Sequence, residues 1–199
     1  MKTLGAKILI FAASFIALHA ACIPQAGAEV GRFNFIPSSS KIIFHAKSTL
    51  HDFDGGASSI SGFAEGDIEH PDEKANGLLE AAVSSMSTSD TWRDQYMMHD
   101  MDAANFPTIT FRLTKFIIVK KPVSENDHYL ITIDGTLRMH GVEREITFPA
   151  TLSVSGALLN LKAAVSLSLK DYGIKPTSFL FLKVQDMVTV DFDLNGSRV

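Results

Sequence analysis

Two short clusters hold the side chains with the most obvious chemistry. His51-Asp52-Phe53-Asp54 places an imidazole and two carboxylates within four residues, the residue types of a metal site or an acid–base pair. Met97-Met98-His99-Asp100-Met101 joins three thioethers to an imidazole, ligands that suit copper and Cu(I) above all. Each cluster also has a plainer reading, and we prefer it in both cases. Gly55-Gly56 follows the first cluster, so its polar residues read as a solvated loop where a strand ends. On a helix, Met97 and Met101 would lie one turn apart with Met98 beside them, an apolar stripe packing on a sheet. A small enzyme using His51, Asp52 or Asp54, and a copper handler using Met97, Met98, His99 and Met101, stand as the alternatives to a binding role.

The remaining candidates are weaker. His45 lies on an apolar stretch and reads as a hydrogen-bonded core or rim histidine, and His140 precedes Gly141 in a turn. Arg93-Asp94 reads as an ion pair or a brace between a helix and a loop, with a ligand head group as a further possibility. There is no Gly-x-Ser-x-Gly elbow, no His-Glu-x-x-His helix and no Gly-rich phosphate loop, so the usual signatures of hydrolases, zinc proteases and nucleotide enzymes are missing. No enzyme, cofactor or metal is expected.

The elements that must position these residues begin after a leader. Lys2 and Lys7 precede the apolar run Ile8–Leu18, and Ala26-Gly27-Ala28 supplies small residues ahead of Glu29. This pattern reads as a secretory signal peptide over residues 1–28, the apolar run being shorter than the roughly 20 residues a membrane span requires. Lipid attachment at Cys22 is disfavoured because His19 stands where an apolar residue is wanted. Cleavage would remove the only cysteine and two lysines, leaving 16 basic against 22 acidic residues over 29–199, a net charge of −6. Thiol chemistry and electrostatic nucleic-acid binding are thereby excluded for the mature chain. The expected location is the periplasm or the outside of the cell, with no stable membrane insertion after cleavage.

Residues 29–199 show no repeat, linker or low-complexity tract and read as one domain. Their dominant period is two. Tyr129, Ile131, Ile133, Gly135, Leu137 and Met139 alternate with Thr132, Asp134, Thr136 and Arg138. The same alternation runs through 109–114, 146–154, 159–169 and 188–194, the signature of antiparallel strands with one dry face. Earlier strands are expected over 32–36, 41–48, 60–69 and 77–86, and a short helix over 89–103, capped by Ser89 or Asp90 and ended before Pro107. Turns are expected at Pro71-Asp72, Glu125-Asn126-Asp127 and His140-Gly141. One short helix cannot cover so many apolar strand faces. The class is therefore all-β, either a sandwich or an antiparallel barrel of about eight strands with its apolar faces inward.

Several segments together resemble one known family. Gly135-Thr136-Leu137-Arg138-Met139-His140-Gly141-Val142-Glu143-Arg144 is similar to the central signature of the YceI-like family. Arg93-Asp94, Met97 and Phe106-Pro107-Thr108-Ile109-Thr110-Phe111 resemble its Arg-Asp helix and the strand after it. Ser38–Phe44, Gly62–Ile68 and Asp171-Tyr172-Gly173-Ile174 fall in matching order. The chain departs from the family pattern at Ile36, Ser39 and Tyr96, positions that bear on the head group and the mouth.

The resemblance implies a lipocalin-like barrel, usually exported, that holds a polyisoprenoid or similar long amphiphile, such as a quinone or its precursor, for carriage or sequestration. Moving such a tail from water into a dry channel gains roughly 25 cal/mol per Å². The expected lining is the inward set Phe44, Phe63, Phe111, Leu113, Ile131, Ile133, Leu137, Phe148, Leu152, Leu161, Val165, Leu167, Val190 and Phe192. Periodicity does not distinguish a filled barrel from a hollow one. It also leaves open a homodimer formed through a sheet edge or the barrel mouth.

Overall fold

The computed structural model describes residues 31–67, 75–124, 127–176 and 183–199. The leader, the Pro71-Asp72 turn and part of the Glu125-Asn126-Asp127 turn lie outside them. Eleven strands and one α-helix follow in the order β1 (Gly31–Phe35), β2 (Lys41–Ser48), β3 (Phe53–Ala57), β4 (Ile60–Gly66), β5 (Ala75–Ala82), β6 (Met86–Ser87), α1 (Thr91–Asp100), β7 (Thr108–Lys120), β8 (Tyr129–Met139), β9 (Val142–Ser155), β10 (Leu158–Ser168) and β11 (Val184–Arg198).

The sheet runs β1-β4-β5-β7-β8-β9-β10-β11, and β1 also pairs with β11, closing an antiparallel barrel of eight strands. Closure satisfies the edge hydrogen bonds that β1 and β11 would expose in an open sheet. The long β11 joins two tiers of wall. Its C-terminal residues pair with β1, and Val184–Asp193 pair with β2, which in turn carries β3 and then β6. The tier holding β2, β3 and α1 is called the upper end below. Among the described residues no helix is long and apolar enough to cross a membrane.

The period of two is realised as expected in β8, where Ile131, Ile133, Gly135, Leu137 and Met139 are buried between partly or fully exposed neighbours. It is interrupted in β7, whose register slips between Leu113 and Lys115 and again between Ile118 and Lys120. The first slip shifts the inward row, so that Phe116 is buried while Ile117 is exposed. Such bulges re-aim side chains where a closed sheet must bend. The connection from β8 to β9 is a two-residue turn with positive φ at both His140 (51°) and Gly141 (76°), the backbone that suits the twist of a tight hairpin.

The helix is shorter than the sequence suggests, and its cap is Asp90, whose side chain accepts a hydrogen bond from the Arg93 N–H at 3.0 Å. At its other end Asp102 takes φ 46° and donates its N–H to the His99 carbonyl, stopping the helix with a left-handed residue. Residues 51–56 correct the sequence reading. They are not a loop throughout, because Phe53–Ala57 form β3, paired with β2 through Phe44–Gly55 and His45–Asp54. Two glycines in five residues hid the strand.

Two buried clusters matter for the site. At the lower end Phe33, Phe116, Ile131, Leu152 and Leu159 pack together across the barrel axis. Beneath α1, Val83, Met101, Leu137, Met139, Tyr172 and Ile174 form a second cluster.

Candidate functional site: an apolar cavity with a polar mouth

Between the lower cluster and α1 the barrel is hollow. The cavity measures about 660 Å³, inside the roughly 300–1,000 Å³ spanned by small-molecule sites. Its floor is made of aromatic rings. Phe111, Phe148 and Phe192, from β7, β9 and β11, all border the cavity and all pack on the lower cluster. Their ring centroids are 5.5 Å apart for Phe111–Phe148 and 6.5 Å for Phe148–Phe192.

The expected lining residues sort into three groups. Phe44, Leu113, Ile133, Leu137, Leu161, Val165, Leu167 and Val190 border the cavity together with the three floor rings. Ile131 and Leu152 do not. They point inward but lie lower along their strands, packed with Phe33, Phe116 and Leu159. The register shows the step: Ile133 is opposite Phe148 at the floor, while Ile131 and Leu152 pair with Ala150 and Tyr129 below it. Alternation reports which face a residue takes, not its height on the barrel axis.

Phe63 is the third case. It touches the cavity edge, yet its row on β4 faces outward, opposite Asn34 and Leu78, and the Arg32 guanidinium covers its ring at 3.6 Å. The inward residue there is Ala64, opposite Phe33. Lining residues absent from the sequence reading include Ile42, Ala46, Leu79, Ile146 and Leu194. Ile42 and Ala46 share a strand face with Phe44, so the same alternation could have supplied them.

The mouth is polar and sits under α1. His51, Trp92, Arg93, Tyr96 and Lys183 border it. The Arg93 guanidinium stacks on the Phe53 ring, 4.2 Å from its centroid, with one Nη 3.5 Å from His51 Nε2 and 3.7 Å from Asp90. Its neighbour Asp94 holds the helix to the preceding segment. The Asp94 carboxylate accepts hydrogen bonds from the Thr88 N–H at 2.7 Å, the Thr88 hydroxyl at 2.6 Å and the Ser87 hydroxyl at 2.7 Å. Partial burial pushes its carboxyl up, but these bonds together outweigh that and hold it below the ordinary aspartate value. Of the readings of Arg93-Asp94, the brace describes Asp94, while Arg93 borders the cavity with donors to spare.

The alternative constellations come apart. His51 is at the mouth, whereas Asp54 alternates to the outer wall, where His45 Nδ1 meets it at 2.7 Å and His45 Nε2 meets Asp191 at 3.2 Å. His51, Asp52 and Asp54 therefore share no cleft. In the second cluster Met101 is buried and Met97 and Met98 pack on the cluster beneath α1, while the His99 side chain is 84% exposed. Three thioethers turned inward and an imidazole turned outward do not converge on one ion. Among the described residues no group of three His, Asp, Glu or Cys side chains is placed to hold a metal. His140 is structural, its Nδ1 lying 3.0 Å from the Tyr172 carbonyl oxygen.

The barrel has known counterparts. BcnA of Burkholderia cenocepacia is 17% identical with a TM-score of 0.69, over 81% of this chain and 98% of that one. A polyisoprenoid binding domain from Saccharophagus degradans, implicated in plant cell wall breakdown, is 15% identical with a TM-score of 0.68, over 84% and 98%. The YCEI protein of Campylobacter jejuni is 17% identical with a TM-score of 0.59, over 73% and 84%. At these identities the likeness speaks for the fold alone. No curated protein matches the chain. The family model for the YceI-like domain matches residues 33–196, which takes in both tiers of the wall, the aromatic floor and α1, and the chain therefore belongs to the YceI-like family.

Proposed function

We propose that this protein is an exported binding protein for a polyisoprenoid or similar long amphiphile, a quinone or its precursor being the type that fits. The tail lies in the upper barrel and the head group at the mouth beside Arg93. The observation that carries this reading is the cavity itself, walled by aliphatic and aromatic side chains, with the cationic and hydrogen-bonding groups of His51, Arg93 and Lys183 also on its border. An apolar tail needs no catalytic group to be held, because its transfer from water is favourable in proportion to the area buried. A single polar head is then satisfied by the guanidinium, which donates to a carbonyl, phenol or phosphate oxygen alike. Carriage and sequestration use the same cavity, and either follows from reversible loading.

The Saccharophagus domain, named for polyisoprenoid binding, supports the choice of tail. Export rests on the leader pattern of residues 1–28. The test is native mass spectrometry of protein from the exported fraction, followed by extraction and identification of the lipid. Trp92, the only tryptophan, stands 73% exposed at the mouth, so its emission should shift to the blue as a head group covers it. A stoichiometric adduct of prenyl mass is the expected result. A clean apo mass that stays apo with added prenyl quinones would overturn the reading.

A further inference from the structure

We propose that Gly55 is a selectivity position. By carrying no side chain it lets the Phe44 ring lie flat on the barrel wall, and so leaves the upper lumen wide enough for a methyl-branched chain. The proposal deepens the lipid-binding reading above and rests on it.

Gly55 on β3 is register-paired with Phe44 on β2, and both belong to inward rows. A Cβ placed on Gly55 would lie 2.2 Å from Phe44 Cζ and 2.7 and 2.8 Å from the two Cε atoms. Every one of these close atoms belongs to the tip of the ring and none to backbone. Carbon atoms in van der Waals contact sit roughly 3.5–4.0 Å apart, so alanine at this position would force the ring off the wall. On the back of the same pair, Asp54 holds His45 at 2.7 Å, which ties β3 to β2 and resists separation of the strands. The open space Phe44 borders is the lumen, and that is where the ring would turn.

A second glycine shows why Gly55 is the informative one. A Cβ on Gly135 would meet the Phe111 ring at 2.2 Å but also the Arg112 carbonyl oxygen at 2.6 Å, so substitution there must move backbone as well. Each prenyl unit carries a methyl branch and is wider than a straight alkyl chain. A lumen narrowed by the Phe44 ring would exclude the branched chain first.

The test compares two quinones with the same head group, one with a prenyl tail and one with a straight saturated tail of equal reach, by quenching of Trp92 in the full protein. Wild type is expected to bind both. Gly55→Ala should weaken the prenyl quinone about tenfold, the scale of one misplaced methyl in an apolar pocket, and the straight-chain quinone far less. Adding Phe44→Leu to Gly55→Ala should restore the prenyl quinone, and Phe44→Ala alone should shift preference further toward it. An unchanged preference in Gly55→Ala, or, if that variant fails to fold, in Phe44→Ala, overturns the proposal while leaving lipid binding in place. Failure of wild type to bind either quinone removes the lipid reading and this proposal with it.

Discussion

The lower and upper ends of this barrel share most of their strands and the same residue types, yet one is solid and the other hollow. At the lower end Phe33, Phe116 and Leu159 reach the axis and meet Ile131 and Leu152. At the upper end Leu161, Val165, Leu167 and Val190, from the adjacent strands β10 and β11, border open space. Two features separate the ends. The β1–β11 pairing draws the lower wall closed, whereas the upper wall is widened by the β2–β3 pair and capped by a helix. Glycine at 55 also lets Phe44 lie against the wall instead of across the lumen. Hydrophobic side chains thus supply stability in one half and ligand space in the other.

The largest expected effect separates the two halves directly. Leu152→Ala, in the packed end, should cost about 2–5 kcal/mol of stability, the range for a buried leucine truncated to a cavity. Leu167→Ala, which only enlarges an existing space, should cost well under half as much. Urea unfolding of both variants measures the contrast, and equal losses would mean that the upper half is as tightly filled as the lower. The converse substitution sharpens it. Leu167→Trp should fill lumen with little change in thermal midpoint and lower lipid occupancy about tenfold, a change of about 1.4 kcal/mol, read by native mass spectrometry.

Smaller effects probe the cap and the wall. Asp90→Ala removes the side chain that accepts from the Arg93 N–H and should cost about 1 kcal/mol, with slower or weaker lipid retention as α1 frays. Tyr172 is buried, and among the described residues its hydroxyl is the buried side-chain group with no hydrogen-bond partner. Burial pushes its phenol up. Tyr172→Phe should therefore leave stability unchanged or raise it by about 1 kcal/mol, because the desolvated hydroxyl is not compensated. A clear loss would show that the hydroxyl is satisfied after all.

The smallest expected effect is electrostatic. The hydrogen bond to Asp54 is the main cause that raises His45 above its ordinary 6.5, with burial opposing and Asp191 reinforcing. A raised folded-state value means the His45 contribution is complete below pH 6.5 and is lost as pH rises through the folded value. Asp54→Asn should flatten that part of the stability–pH curve. With both side chains largely exposed, the effect should also shrink at high salt.

Much of this was legible in the sequence because closed antiparallel sheets write their two faces into a period of two. Residues 129–139 gave their buried row directly, and Asp90 was among the expected caps for α1. The limits have equally physical causes. Phe63 and Ala64 are adjacent and both apolar, so alternation is ambiguous there, and only the pairing of Ala64 with Phe33 assigns the inward residue. Strand β3 escaped notice because Gly55 and Gly56 look like loop residues when the ring that covers one of them is eleven positions away.

By itself the sequence determined the class of fold, the inward face of the regularly alternating strands such as β8, and the separation of apolar wall from polar connections. Those are local consequences of alternation and turn chemistry, readable within a dozen residues. Only the tertiary structure decided that Ile131 and Leu152 fill the barrel while Ile133 and Phe148 border a cavity. It also decided that Arg93 stands at the mouth while Asp54 and His99 turn away. Height along the axis depends on register between strands far apart in sequence, and whether a lumen stays open depends on which rings find a glycine across the wall.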